Sequence, residues 1–356
     1  MSKFNLQTLF RSEVLALSAY HVAEAQGFIK LDAMENPYTW SDEIKQTWLA
    51  ELKDCALNRY PDPEARQLVE TLKNLNQLPN EIDLLLGNGS DEIIQLLLMA
   101  LPSNSHVLST TPSFVMYKQI SDYLGLNYHG VSLTSNFELD LSAMLAAIEQ
   151  YNPAIIFLAY PNNPTGNLFN VDSINAIIDA ANGLVIIDEA YEPFANNASF
   201  MHNVMNNVLV MRTVSKLGLA GLRLGYIAGE HKIIEQLHKI RLPYNINVLT
   251  QTTVQFALKH KEIFDEQTTA ICNERALMFN ALNSLNGITA YESAANFILF
   301  KTPENQATPI FEAIKAQGVL IKNVHPQGSL LTDCLRVTVG TPDENQAFLQ
   351  ALKSAW

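Results

Sequence analysis

The sequence predicts an α/β fold, in which a large domain with a mostly parallel sheet flanked by helices is joined to a smaller α+β domain. Three observations lead to this prediction. Between about Ile82 and Gly229, short β-rich apolar runs alternate with segments of helical period. The runs are almost continuously apolar, as expected of strands buried on both faces. After about Thr250 the alternation stops and helices dominate.

The strands of the large domain are the clearest elements. A helix is predicted between the first two of them over Val171–Ala181, because Ile174 and Ile177 fall on one apolar stripe. Strand, helix and strand in this order are typical of a parallel sheet. The candidate strands are Ala154–Tyr160, Leu184–Tyr191, Val208–Lys216 and Arg223–Gly229.

The rest of the chain predicts the smaller domain. Helices are expected around Phe256–Asn283 and near Pro309–Gln317, and strands over Phe297–Lys301 and Cys334–Gly340. We expect residues 1–45 to form an N-terminal arm and part of the small domain, residues 46–250 the large domain, and residues 251–356 the small C-terminal domain.

Composition excludes several classes of protein. The 356 residues carry a formal net charge of −13, which disfavours binding to nucleic acid or to an anionic membrane surface. Three scattered cysteines and no unbroken apolar N-terminal stretch predict a cytoplasmic protein. No metal site is expected, since the eight histidines show no HExxH spacing, and neither a GxSxG elbow nor a P-loop is present.

Polar residues cluster where the predicted strands end, which is where open α/β sheets bind ligands. Each cluster has a simpler interpretation: PNNPTG makes a good turn, Asp188 could cap a helix, and Lys216 could be a solvated lysine. The segments are Gly87–Glu92, Tyr160–Gly166, Asp188–Tyr191 and Thr213–Lys216.

In this order and together, these segments resemble the fold-type I pyridoxal-phosphate aminotransferases over most of the chain. The resemblance implies pyridoxal 5′-phosphate as cofactor. Lys216 matches the lysine that forms a Schiff base with the cofactor and then serves as the proton-transferring base. Asp188 is similar to the acid that pairs with the pyridine nitrogen and keeps it protonated.

The resemblance also implies the remaining cofactor contacts. Asn163 and Tyr191 match the donors to the phenolic oxygen, with a turn former and a buried tyrosine as the alternatives. Tyr117 resembles the aromatic residue that stacks on the ring; the alternative is a core tyrosine. The expected phosphate ligands are the backbone of Gly89, Ser90 and Asp91 together with Thr213, Ser215 and Arg223. The stretch from Lys216 to Arg223 is one residue shorter than is common in the superfamily.

The closer resemblance is to the histidinol-phosphate aminotransferase family. It implies transfer of an amino group between L-histidinol phosphate and 2-oxoglutarate, in histidine biosynthesis. Two departures concern fine specificity: Met34 stands where that family often has Asn, and Ala19 replaces a proline before Tyr20. The matching segments are LDAMENPY, NRYPDP, GNGSDEII, SKLGLAGLRLGY, SAANFILF and CLRVTVGTPDEN.

Substrate contacts follow from the same resemblance. Arg336 matches the arginine that binds carboxylate or phosphate, with a surface ion pair as the alternative. Tyr20, Asn36 and Asn163 are expected on the substrate side. Tyr60 resembles the tyrosine that reaches the neighbouring subunit's cofactor phosphate, which implies a homodimer with shared active sites. Further phosphate candidates, or else simply solvated side chains, are Lys322 and Arg11.

Three other functions stay open at this stage. An aromatic amino-acid aminotransferase or a phosphothreonine-type decarboxylase would share most of the cofactor residues. A non-catalytic sensor with the same fold is the third. Against the sensor stand Lys216 and Asp188, because a protein that only binds has no chemical need for a proton-shuttling lysine opposite a ring-charging acid.

Overall fold

The structure is a computed structural model that describes residues 5–19 and 23–355. Its helices are α1 Leu6–Leu9, α2 Ser12–Leu15, α3 Asp42–Leu52, α4 Arg66–Leu75, α5 Ser90–Met99, α6 Val115–Leu124, α7 Leu141–Tyr151, α8 Val171–Ala180, α9 His231–His238, α10 Val248–Lys259, α11 Lys261–Asn283, α12 Ala307–Ala316 and α13 Pro342–Ser354. Its strands are β1 Ile29–Lys30, β2 Ile82–Gly87, β3 His106–Thr111, β4 Asn127–Ser132, β5 Ile155–Ala159, β6 Leu184–Asp188, β7 Val208–Thr213, β8 Gly225–Glu230, β9 Thr289–Ala290, β10 Phe297–Lys301, β11 Val319–Leu320, β12 Lys322–Asn323 and β13 Cys334–Thr338.

The large sheet contains seven of the strands in the described chain, in the order β2-β8-β7-β6-β5-β3-β4. The pairs from β7 to β4 are parallel, whereas β8 runs antiparallel to both of its neighbours. The predicted mostly parallel sheet is therefore confirmed. All five residues of β5 are buried, which explains why its sequence is apolar without interruption.

The four predicted strands of the large domain are all shorter than expected at the edge where the polar clusters lie. Those predicted over Ala154–Tyr160 and Leu184–Tyr191 end at Ala159 and Asp188. The strand predicted over Val208–Lys216 ends at Thr213, and a 3₁₀ turn follows over Val214–Leu217. The strand predicted from Arg223 begins at Gly225, because Arg223 has a left-handed backbone (φ 49°) that a strand cannot contain. Lys216 and Arg223 thus lie on loops beyond the sheet.

Helices cover the sheet as predicted. In α8, Ile174 and Ile177 are fully buried, and the side chain of Asn170 caps the helix by accepting from the Ser173 N–H at 3.0 Å. The predicted helical region around 256–283 consists of two helices, α10 and α11, which meet at His260.

A second, four-stranded sheet of order β12-β13-β10-β9 forms the core of the C-terminal part, together with α11, α12 and α13. Strand β1 of the N-terminal segment pairs in parallel with β11, so the chain's first part joins this region. The expected domain boundary at residue 250 falls inside α10, where Val254 and Ala257 pack in the core of the large sheet. The three-part division itself stays a prediction.

Candidate active site

A cavity of about 420 Å³ lies at the carboxyl ends of β5, β6 and β7; we call it the strand-end cavity. Parallel strands bring their carboxyl ends to one edge, so residues far apart in sequence meet there. Most of the residues predicted for the site line it. The lining residues are Ala33, Met34, Glu35, Ser90, Asp91, Phe114, Ala159, Pro161, Asn163, Asp188, Ala190, Tyr191, Thr213, Ser215, Lys216, Ala220, Gly221 and Arg223.

Asp188 is the last residue of β6 and is buried at the floor of the strand-end cavity. Its Oδ2 accepts a hydrogen bond from the Tyr117 hydroxyl at 2.6 Å, and its Oδ1 accepts one from the Ala190 N–H at 3.1 Å. Burial raises the pKa of the Asp188 carboxyl to about 6, although both hydrogen bonds oppose this rise. A cationic ring nitrogen beside this carboxyl would favour its ionised form.

Lys216 lies in the 3₁₀ turn after β7 and lines the same cavity. Its amine donates a long hydrogen bond of 3.3 Å to the Ala33 carbonyl and lies 5.6 Å from the centroid of the Tyr191 ring. Burial, together with the positive charge of Arg336, lowers the pKa of the Lys216 amine to about 8. The unprotonated fraction of this amine near neutral pH is therefore larger than that of an ordinary lysine.

A chain of hydrogen bonds links three predicted residues. The Asn163 amide donates to the Tyr191 hydroxyl at 3.1 Å, and Arg336 donates to Asn163 Oδ1 at 2.6 Å. A second guanidinium N–H of Arg336 donates to the Asp32 carbonyl at 2.9 Å, and the guanidinium lies 5.3 Å from the Phe297 ring centroid. Arg336 is 7% exposed, which excludes the surface ion pair weighed as its alternative.

The amino end of α5 forms an anion cradle with Thr213, Ser215 and Arg223. The helix begins at Ser90, directly after Gly89, whose φ of 86° favours glycine. A Cβ at Gly89 would lie 2.6 Å from the Arg223 guanidinium, so the missing side chain leaves room for that group. Free N–H groups at a helix start and a nearby guanidinium suit a phosphate. The residues present therefore fit pyridoxal phosphate.

The expectation for Tyr117 was wrong. Tyr117 has no exposed surface and stacks on Phe157 at a centroid distance of 4.5 Å, so its ring has no face open to a ligand. The aromatic residue that lines the strand-end cavity is Phe114, three residues earlier. Tyr117 acts from the core, through its hydroxyl, on Asp188.

Arg336 does not line the strand-end cavity, and neither does Asn36, whose role on the substrate side stays a prediction. The Asn36 amide donates to the Leu217 carbonyl and to Gln267, both at 2.9 Å, and its Oδ1 accepts from the Tyr38 N–H at 2.8 Å. These bonds fasten the N-terminal segment to the loop that carries Lys216.

The structure brings the other predicted residues to different places. Tyr60 is 81% exposed and stacks on Tyr244. Its role toward a neighbouring subunit stays a prediction. Lys322 lies opposite Arg336 in the strand pairing of the small sheet, and Arg11 is exposed. Tyr20 lies outside the described residues.

Sequence reasoning missed Glu35 and Phe114 as lining residues, and it noted Met34 only as a departure from the family's usual residue. Met34 has a left-handed backbone (φ 54°), and its N–H donates to the Thr338 hydroxyl at 2.9 Å. Glu35 pairs with Lys30 at 2.5 Å. A non-glycine residue with positive φ often marks a functional site, but that signal is visible only in the structure.

Two negative findings hold for the described part of the chain. No three or more His, Cys, Asp or Glu side chains come together there as a possible metal site. Nor does any helix there have the length and apolarity needed to cross a membrane.

Comparison with known proteins agrees with this geometry. The sequence model of the family described as aminotransferase class I and II matches residues 26–352. Histidinol-phosphate aminotransferase 2 of Nitrosococcus oceani is 55% identical over 358 aligned positions, which cover 99% of each chain. Histidinol-phosphate aminotransferase of Chromobacterium violaceum is 48% identical over 354 positions, again 99% of each chain.

Solved structures show the same fold. The crystal structure of histidinol-phosphate aminotransferase from Sinorhizobium meliloti, in complex with pyridoxal-5′-phosphate, superimposes with a TM-score of 0.86. The match covers 98% of this chain and 97% of that one at 21% identity.

Proposed function

The chain belongs to the aminotransferase class I and II family, and we infer that it transfers the amino group between L-histidinol phosphate and 2-oxoglutarate with pyridoxal 5′-phosphate as cofactor. The products are imidazole acetol phosphate and L-glutamate, and the reaction belongs to histidine biosynthesis. The observation that carries this inference is that Lys216 and Asp188 line one cavity beside an anion cradle.

The residues of the cavity divide the work. When bound, the cofactor supplies an electron-withdrawing ring that acidifies the α-carbon of the substrate. Asp188, held by Tyr117 and the Ala190 N–H, would keep the ring nitrogen protonated. The Lys216 amine would hold the cofactor's aldehyde carbon and would take the proton from the substrate's α-carbon, for which a pKa of about 8 is suitable.

Arg336 suits a reaction with two unlike substrates. Its planar guanidinium can bind either a phosphate or a carboxylate by two parallel hydrogen bonds. Histidinol phosphate offers the first group and 2-oxoglutarate the second. The bond from Arg336 to Asn163 fixes the guanidinium next to a residue that lines the cavity.

A half-reaction assay tests the substrate. The purified protein, loaded with pyridoxal phosphate, is mixed with histidinol phosphate, phenylalanine, tyrosine or phosphothreonine, and the visible absorbance of the bound cofactor is followed. We expect histidinol phosphate to react fastest. Preference for phenylalanine or tyrosine would indicate an aromatic aminotransferase, and release of carbon dioxide from phosphothreonine a decarboxylase. A protein that stays colourless with the cofactor would favour the sensor.

We also propose a cytoplasmic homodimer with shared active sites. The exposed Tyr60 supports it, because an exposed aromatic ring stacked on Tyr244 is available to a second copy. Mixing inactive Tyr60→Ala and Lys216→Ala proteins, after mild dissociation, should restore part of the activity, since one of the two hybrid sites is intact. Unrestored activity in proven hybrids would contradict sharing.

A further inference from the structure

A buried ion pair lies on the side of the large sheet opposite the strand-end cavity. Glu189, 1% exposed, accepts hydrogen bonds from Arg212 at 2.9 Å and from the Ser199 hydroxyl at 3.0 Å. The Phe200 N–H donates to its other oxygen. Burial raises the pKa of the Glu189 carboxyl, and the charge of Arg212 opposes that rise. Both oxygens of the Glu189 carboxylate therefore accept hydrogen bonds.

Arg212 extends this contact into a network. Its guanidinium donates to Asn76 Oδ1 at 2.9 Å and to the Ser199 hydroxyl at 2.8 Å. Asn76, just after α4, donates in turn to the Tyr226 hydroxyl on β8 at 3.2 Å. One guanidinium thus connects β6, β7, β8 and the end of α4.

Each member of the ion pair is the chain neighbour of a residue of the cavity. Glu189 follows Asp188, and Arg212 precedes Thr213. Successive residues along a strand point to opposite faces of the sheet. The ion pair therefore lies on one face, and the neighbouring cavity residues lie on the other. The ladder continues to this point, because the Glu189 N–H donates to the Met211 carbonyl at 2.8 Å.

We propose that Glu189 and Arg212 are positioning residues for the strand-end cavity: their ion pair fixes the end of β6, with Asp188, against the end of β7, with Thr213 and the Lys216 turn. This inference rests on the proposed function, since the distance it fixes separates the ring acid from the phosphate cradle. Neither residue lines the cavity.

Arg212 uses three of its guanidinium nitrogens in these contacts. Two nitrogens of the Arg212 guanidinium lie against one oxygen of Glu189, Oε2: Nε donates to it at 2.9 Å, and Nη2 lies 2.8 Å from it while donating to the Ser199 hydroxyl. The contact therefore has a fixed orientation as well as an attraction. A lysine would keep the charge and lose the orientation. Charge and orientation can therefore be separated by substitution.

Cofactor binding in four variants tests the proposal. Arg212→Gln, Arg212→Lys, Ser199→Ala and the control Asp83→Asn are purified with pyridoxal phosphate. The control breaks the Asp83–Lys73 pair (3.0 Å), which lies in the same sheet but away from the cavity. We measure the release rate of the cofactor, its induced visible circular dichroism, which reports ring orientation, and the unfolding midpoint in urea.

We expect Arg212→Gln to release the cofactor about tenfold faster and to show weaker dichroism. A tenfold change corresponds to the loss of roughly one well-formed charged hydrogen bond. Arg212→Lys should fall between this variant and the wild type, and Ser199→Ala nearer to the wild type. Asp83→Asn should change only the unfolding midpoint.

Folded Arg212 and Ser199 variants with wild-type release rates and dichroism would overturn the positioning role, whatever their unfolding midpoints. Should Arg212→Gln not fold, the Arg212→Lys and Ser199→Ala results decide. If the wild-type chain itself binds no pyridoxal phosphate, the proposed function fails instead.

Discussion

At the ends of β6 and β7, the two faces of the large sheet differ in how their buried charged side chains are paired. On the cavity face, Asp188 is buried and Lys216 is half-buried, and both pKa values are shifted so that the neutral form is favoured. The only protein hydrogen bond described for the Lys216 amine is 3.3 Å long. On the far face, Arg212 donates to the buried Glu189 carboxylate at 2.9 Å and also lies 3.4 Å from Glu192, so its charge is matched within the protein. The first pair is set up to meet a ligand, and the second to hold the strands.

This contrast predicts opposite effects on stability. A charge buried without a matching partner lowers the free energy of unfolding, so its removal is stabilising. Removing one member of a buried ion pair is destabilising, because the other charge is left buried without a countercharge. The cavity face should therefore lose activity and gain stability on substitution, and the far face should lose stability first.

The largest effect is expected for Lys216→Ala. Removing the amine that moves the substrate's α-proton should lower kcat by at least about 10²–10⁴-fold, the usual contribution of a positioned base. Some binding of pyridoxal phosphate should remain, because the anion cradle is intact. The control is Lys353→Ala, which changes an exposed lysine of α13. Near-normal turnover of Lys216→Ala would refute the assigned role.

On the far face, Arg212→Met should lower the free energy of unfolding by about 3–5 kcal/mol, because the buried Glu189 carboxylate loses its countercharge. The double variant Glu189→Leu/Arg212→Met should recover much of this loss, since both charges of the pair are gone and Glu192, which also lies 3.4 Å from Arg212, is partly exposed to solvent. Urea unfolding of both variants measures the difference. A double variant as unstable as the single one would show that the charge is not the cause.

Asp188→Asn should stabilise the cofactor-free protein while abolishing turnover. The folded pKa of about 6 lies above the ordinary value of 3.8, so this carboxyl favours folding at pH below about 4 and loses that contribution as the pH rises through 6. A shift of this size corresponds to at most about 3 kcal/mol. Urea unfolding at pH 4 and pH 8 should therefore show a gain only at pH 8. The same gain for the exposed Asp179→Asn would contradict this explanation.

The smallest effect concerns Met34, whose left-handed backbone forms part of the cavity wall. Asparagine tolerates this conformation better than other side chains with a Cβ. We expect Met34→Asn to be more stable in urea than Met34→Ala by about 0.5–1 kcal/mol. Comparison with alanine removes the shared loss of packing. Equal stabilities would mean that the backbone at this position carries no cost.

Much of the site was predictable, because ligand-binding residues of open α/β sheets lie at the carboxyl ends of the strands. Asp188, Asn163 and Lys216 follow strands whose apolar runs are unmistakable, and parallel strands bring such residues to one edge. The choice between Phe114 and Tyr117 was not predictable. Phe114 directly precedes α6, and Tyr117 lies in its first turn. Only the packing of Tyr117 against Phe157 decides which of the two rings is buried.

Contacts between distant segments were also beyond the sequence. Glu189 and Arg212 are 23 positions apart, and their meeting depends on the pairing of β6 with β7. Met34 is fixed by Thr338, 304 positions later. No local period or spacing records such pairs. The position of the helix break at His260 was missed for a similar reason, since both flanking segments have helical composition.

The most direct test of the account is to locate the cofactor. The protein is incubated with pyridoxal phosphate, reduced with borohydride, digested, and analysed by mass spectrometry, with Asp188→Asn and Lys353→Ala treated in parallel. We expect a stable pyridoxyl group on Lys216 in the wild type and in Lys353→Ala, with weaker labelling of the Asp188 variant. A label spread over surface lysines, or a wild type without label at Lys216, would contradict it.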